Sequence, residues 1–136
     1  MKIAPGDTAQ LSTTITDRDI QAFAELTGDH NPVHLDDAFA SRTRFKRRIA
    51  HGMLVASQLS KVIANDLPGQ GSVYLSQTLK FVAPVYPGDT VTARVTVLSV
   101  REDKPIITLE TVCVNQDGQE VITGEAIVLV QPTAET

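Results

Sequence analysis

The sequence predicts a single α+β domain, residues 1–136, in which one long buried helix is wrapped by an antiparallel sheet. Three observations predict it. The segment from His51 to Asp66 is apolar almost all round over its first two turns, which marks a helix enclosed by protein rather than lying on a surface. From Ser72 to Val130 the chain reads as successive strands broken only by short turns, so neighbouring strands run antiparallel. A length of 136 residues suits one core and is short for two.

The elements follow in order. Residues 1–15 read as a short strand and its approach. Thr16 or Asp17 supplies an N-cap for a helix over 17–27, where Ile20, Phe23, Ala24 and Leu26 recur at helical spacing. Gly28 stops it. A bend follows, then a brief helical piece near 36–41. The buried helix is closed by Pro68-Gly69. In the strand region Val73, Leu75, Leu79 and Phe81 keep one register, with Gln77 in it. Val91, Ala93, Val95 and Val97 alternate with Thr92, Arg94 and Thr96. Pro87-Gly88-Asp89 separates these runs, and Lys104-Pro105 and Asn115-Gln116-Asp117-Gly118 mark the next turns. The last strand covers roughly 119–130, and the residues after Pro132 read as frayed. One helix covers one face of such a sheet, so a homodimer is expected to bury more of its surface and edge.

Bulk properties exclude several functions. The apolar fraction of 42% and charged fraction of 21% are those of an ordinary soluble globular chain. The net charge of −4 gives no electrostatic case for nucleic acid. Met1–Asp7 lacks the apolar run of a signal peptide, and no segment has the unbroken apolar length of a membrane span. A cytoplasmic location is the resulting expectation. The lone Cys113 excludes an internal disulfide and an all-cysteine zinc site. Between Val112 and Val114 it reads as a buried, inert thiol. No Gly-rich nucleotide motif and no Ser or Cys nucleophile elbow is present.

The most informative stretch runs from Leu26 to Asp36. It places Asp29 and His34 five residues apart with Pro32 between them. Proline interrupts a helix and pushes the residue before it, Asn31, toward extended backbone. The chain therefore bends, and a bend can turn Asp29 and His34 toward one point. Two readings stand side by side: an Asx turn with a satisfied histidine, and an acid–base pair that manages protons on a substrate. His30 and His34 do not form a helical zinc pair, because Pro32 lies between them. No third ligand cluster is evident, and no metal is expected.

Three segments carry a family resemblance: Gly28-Asp29-His30-Asn31-Pro32-Val33-His34, Ile49-Ala50-His51-Gly52-Met53, and Phe81 to Thr90 around Pro87-Gly88-Asp89. On these the chain resembles the MaoC-like, (R)-specific enoyl-CoA hydratase family of the hot-dog fold, over nearly its whole length. That family is described as a dimer whose two long helices are wrapped by a continuous sheet. The resemblance implies that Asp29 and His34 are the catalytic pair and that the Gly52 N–H polarises the thioester carbonyl. It further implies that Ser60 helps orient the active-site residues and that Asn31 supports the loop.

The implied reaction is reversible hydration of trans-2-enoyl-CoA to (R)-3-hydroxyacyl-CoA, between fatty-acid β-oxidation and polyhydroxyalkanoate precursors, with no cofactor. Water is a poor nucleophile, so a base must take its proton as it attacks. Asp29 suits that role if a desolvated pocket raises its basicity, with His34 holding the same water. Gly52 opens the buried helix, where backbone N–H groups are free and no side chain obstructs approach. His51 reads as a cap or a core residue. The basic run Arg42, Arg44, Lys46, Arg47, Arg48 is either a solvated loop or a contact for CoA phosphates through Lys46 and Arg47. The family usually has proline where Arg48 stands, so this loop is expected to differ in shape. Leu59, Val62 and Ile63 fit either an acyl pocket or plain core. Alternative functions on the same fold are a 3-hydroxyacyl thioester dehydratase, including one acting on acyl carrier protein, a thioesterase, and a non-catalytic acyl-CoA-binding protein.

Overall fold

The computed structural model describes residues 2–131, so the segment read as frayed lies outside the described residues. The chain opens with strand β1 (Thr8–Thr14) and passes into helix α1 (Asp17–Thr27) through a reciprocal cap. The Thr16 hydroxyl accepts from the Asp19 N–H, and the Asp19 carboxylate accepts from the Thr16 N–H. Ile20 and Ala24 of α1 are buried, but Leu26 is 85% exposed. Six residues beyond Ile20, Leu26 is rotated about 240° round the helix and leaves the apolar face. Gly28 ends α1 in the left-handed region, at φ 79, with its N–H on the Ala24 carbonyl.

Pro32 then does something the sequence reading did not foresee. It starts a helical turn, α2 (Pro32–Leu35), since a first-turn N–H has no helical acceptor to lose. Asn31 before it is extended at ψ 124 and caps the turn, so the bend itself shrinks to Asp29–Asn31. Helix α3 (Asp37–Ser41) follows, capped by Asp36.

Helix α4 (Gly52–Asn65) is the centre of the molecule. Leu54, Val55, Leu59, Val62 and Ile63 are buried, whereas Met53, Ser57, Ser60 and Ala64 form one open stripe. The strands are β2 (Val73–Gln77), β3 (Lys80–Phe81), β4 (Thr90–Val100), β5 (Ile106–Val114) and β6 (Glu120–Leu129). All pairings are antiparallel, in the order β1-β4-β5-β6-β2, with β3 beside β6. Val91, Ala93, Val95 and Val97 turn inward as the alternation required. Helix α4 lies against β1, β4 and β5. This is the expected hot-dog arrangement of helix and wrapping sheet.

The run from Val73 to Phe81 is not one strand. It breaks at Thr78, whose carbonyl fills the space a Cβ on Gly124 would need. The Gln77 amide turns in to donate to the Thr78 carbonyl and the Thr111 hydroxyl. Cys113 is fully buried, and burial pushes its thiol up to about 12, which leaves it unreactive. Among the described residues no helix is long and apolar enough to cross a membrane.

Candidate active site

Asp29 and His34 meet because two successive Asx turns fold the chain between α1 and α2. The Asp29 carboxylate accepts from the Asn31 N–H at 3.3 Å, and the Asn31 side chain accepts from the Val33 N–H at 3.1 Å. The turn reading and the paired-residue reading thus describe one geometry. His34 points inward from α2 and is 9% exposed. Its Nδ1 lies 2.8 Å from the Ile49 carbonyl. A carbonyl can only accept, so Nδ1 carries the proton and Nε2 keeps a lone pair in the neutral ring. Burial lowers the His34 pKa below the ordinary value of 6.5, helped by His51 and opposed by the Ile49 hydrogen bond and Asp29.

A third group joins them. His51 is 2% exposed and precedes α4 at the N-cap position, yet makes no capping bond with its side chain. Instead its Nε2 donates to the Asp29 carbonyl at 3.0 Å. Its ring packs against His34, with centroids 3.9 Å apart and planes tilted by 30°, and against Phe23 at 4.9 Å and 54°. The Asp29 carboxylate and one ring nitrogen of each histidine lie within 4.8 Å of one another. The set has the composition of a metal site. One nitrogen of each ring is already committed as a donor, to the Ile49 and Asp29 carbonyls.

These groups open on a cavity of about 620 Å³, which Asp29, His34 and Gly52 all line. Its other walls are largely apolar, from Ile49, Val55, Val82, Val85 and Ile122. Gly52 places the first turn of α4 at this wall, where backbone N–H groups lack helical acceptors and the helix dipole is positive. An ionised Asp29 and a neutral His34 both accept hydrogen bonds, so a water between them donates both O–H groups and turns its lone pairs outward.

The remaining sequence-predicted residues fall elsewhere. Asn31 stands in the loop as described. Ser60 is exposed on the open stripe of α4 and does not line the cavity. Lys46 is exposed with φ 68, and the Arg47 guanidinium stacks 3.7 Å over the Tyr86 ring. Neither lines the cavity; Arg44 of the same run does. Arg48 pairs with Asp17 and Asp37 and donates to the His34 carbonyl at 3.4 Å. Leu59, Val62 and Ile63 lie in the core rather than at the cavity. Asp29 is exposed in the single chain, so the desolvation expected for it is not supplied by this chain's own atoms. His51 carried one readable signal: a histidine stands where Ser, Thr, Asp or Asn normally caps a helix.

Known proteins resemble this chain over most of its length. An (R)-specific enoyl-CoA hydratase of Aeromonas caviae is 51% identical over 123 residues, covering 90% of this chain and 92% of that protein. A protein of the same description from Rhodospirillum rubrum is 48% identical, covering 94% and 88%. The solved structure of an (R)-hydratase from A. caviae involved in PHA biosynthesis superposes with a TM-score of 0.93 at 48% identity, covering 96% of this chain and 98% of that one. Residues 3–119 match the MaoC-like domain family, and the chain belongs to that family.

Proposed function

We infer that this protein is an (R)-specific enoyl-CoA hydratase, a hydro-lyase that reversibly converts trans-2-enoyl-CoA to (R)-3-hydroxyacyl-CoA. One observation carries the reading: two hydrogen-bond acceptors, Asp29 and His34, share a cavity wall with the N-terminus of α4. A water held by the pair attacks C3 and surrenders a proton to it. The C2–C3 π electrons move through C2 toward the thioester oxygen. The Gly52 N–H meets that developing charge, and such a donor is worth about 10²–10³ in rate. Protonation at C2 completes the addition, all on one face of the alkene.

The family resemblance and the A. caviae relatives support a role in supplying (R)-3-hydroxyacyl-CoA to polyhydroxyalkanoate synthesis from β-oxidation intermediates. We also propose a homodimer. Strand β2 is an edge, and Val73 and Leu75 on it are 46% and 52% exposed, a pattern a second copy would cover. Sedimentation at micromolar concentration tests it, and a monomer mass rejects it.

The hydratase reading is tested by loss of enoyl absorbance from crotonyl-CoA. Wild type should remove it rapidly. Folded Asp29→Asn and His34→Ala variants should each lose about 10²–10⁴ in rate. Free CoA detected by a thiol reagent in place of hydration would mean a thioesterase and reject the assignment.

A further inference from the structure

His51 is a buried histidine that the mechanism above does not use. Four contacts surround it, and three are to something the reaction needs. Its Nε2–H is bonded to the carbonyl of Asp29, twenty-two residues earlier in the chain. Its ring lies on the ring of His34. Its own backbone carbonyl accepts from Leu54 and Val55 and so begins α4, the helix whose first N–H belongs to Gly52. Phe23 of α1 closes the other side.

The contacts assign the ring's donor. The Asp29 carbonyl fixes the proton on Nε2. The remaining Nδ1 is buried and has no hydrogen-bond partner.

We propose that His51 is a positioning residue for the hydration: an imidazole that ties the Asp29 peptide to the head of α4 and holds the His34 ring at its catalytic angle. This rests on the hydratase reading of the same site. The proposal explains why a histidine occupies an N-cap position where it caps nothing. Its donor is spent on the loop and its face on His34. Asp29 sits on a short loop of exposed residues, and the bonds within that loop are local turns. The His51 contact is the long-range bond that sets where its backbone lies relative to the helix N-terminus.

Two substitutions separate the parts of the role. His51→Phe keeps an aromatic face for His34 and removes the donor. His51→Gln keeps an N–H near the Nε2 position and removes the ring. Both are compared with wild type by thermal melting, by kcat and KM for crotonyl-CoA, and by the pH profile of kcat/KM. The groups facing His34 are Asp29, His51, Arg48 at its carbonyl and Arg44 across the cavity, and only His51 is altered.

The expected result for folded His51→Phe is a fall in kcat of about tenfold or more, KM within about twofold, and an acid limb moved up toward the ordinary histidine value. His51→Gln should recover part of kcat by restoring the tie to Asp29. Unchanged kcat in His51→Phe, or a rise in KM alone, overturns the proposal. If His51→Phe does not fold, the proposal rests on His51→Gln alone: kcat equal to wild type then overturns it, and a loss in kcat at constant KM supports it.

Nitrogen-15 NMR of the histidine rings separates this proposal from the hydratase reading. Should wild type hydrate no enoyl thioester, the hydratase reading fails. The proposal is then judged by whether His34 titration and the Asp29 amide signal move in the two variants. Unmoved signals overturn it without reference to activity.

Discussion

The ring of Phe81 lies against the first residue of the central helix. A Cβ built on Gly52 would sit 2.7 Å from Phe81 Cε1 and 2.8 Å from Cδ1. Phe81 comes from the two-residue strand β3, which reaches this point because the strand before it breaks at Thr78. The interruption in the sheet and the glycine at the helix head are thus parts of one arrangement. It leaves the first residue of α4 at the cavity wall with the Phe81 ring beside it.

Gly52→Ala should therefore lower kcat/KM about tenfold or more, by pushing Phe81 into the space the thioester needs. Phe81 is 51% exposed, so its ring can swing and the fold should survive. Phe81→Leu in the Gly52→Ala background should recover part of the loss. The measurement is a double-mutant cycle on kcat/KM, with an expected coupling of about 0.5–3 kcal/mol. Additive losses would show that the methyl acts on something other than Phe81.

His34 should set an acid limb below the ordinary histidine value. Burial is the first cause of its lowered pKa, and the neutral ring is the form that accepts from water. The same shift makes stability depend on pH. Below 6.5 the unfolded chain protonates this residue while the folded chain still resists, so the unfolded state binds more protons and stability falls as pH is lowered. The contribution is fully present above 6.5 and is lost as pH drops through the lower folded value. Denaturant titrations at about pH 7.5 and about pH 5.5 should show this loss in wild type and a smaller one in His34→Gln.

Much of this was legible before any coordinates. Periodicity found β4 and α4 because their residues pack against each other inside one chain, where alternation and helical spacing report burial directly. The Gly28–His34 motif found the loop because glycine, proline and Asx residues act locally. What escaped depends on contacts between distant segments. Nothing in the sequence near Val73 shows that the Thr78 carbonyl will press on Gly124 and split the strand. Nothing near His51 shows that its donor reaches Asp29. The basic run was visible as charge, but which member faces the cavity depends on Lys46 turning the backbone to φ 68.

Arg48 offers a test of how far the His34 loop depends on its surroundings. Its side chain is 18% exposed and reaches carboxylates at the first turns of α1 and α3, as well as the His34 carbonyl. Asp17 and Asp37 are themselves 52% and 86% exposed, so removing Arg48 returns them to water at small cost. Exposed pairs of this kind are worth about 0.2–1 kcal/mol each. Arg48→Met keeps the apolar stem and should lower the melting temperature by only a few degrees, about 2–8 °C. The effect on kcat should exceed what that destabilisation implies, because the His34 peptide loses its tether. A variant that loses stability and keeps wild-type kcat would show that Arg48 serves the helices alone.

The basic loop separates into residues with different tasks, and affinity for the substrate reads them apart. Arg44 lines the cavity that holds Asp29 and His34, so on the proposed reading it is the member of the run that would meet the phosphates of a CoA ester. Arg47 points to a different recess and spends its guanidinium on the Tyr86 ring, a contact worth about 0.5–1 kcal/mol at an exposed site. Arg44→Ala should raise KM for crotonyl-CoA while leaving kcat near wild type, because a remote phosphate contact is made equally in ground and transition states. The increase should shrink as salt is added, since exposed charges are screened. Arg47→Ala should cost a small amount of stability and leave KM unchanged. If Arg47→Ala raises KM and Arg44→Ala does not, the phosphates lie on the Tyr86 side of the loop. The acyl chain would then enter the cavity past Pro84, which lines both spaces.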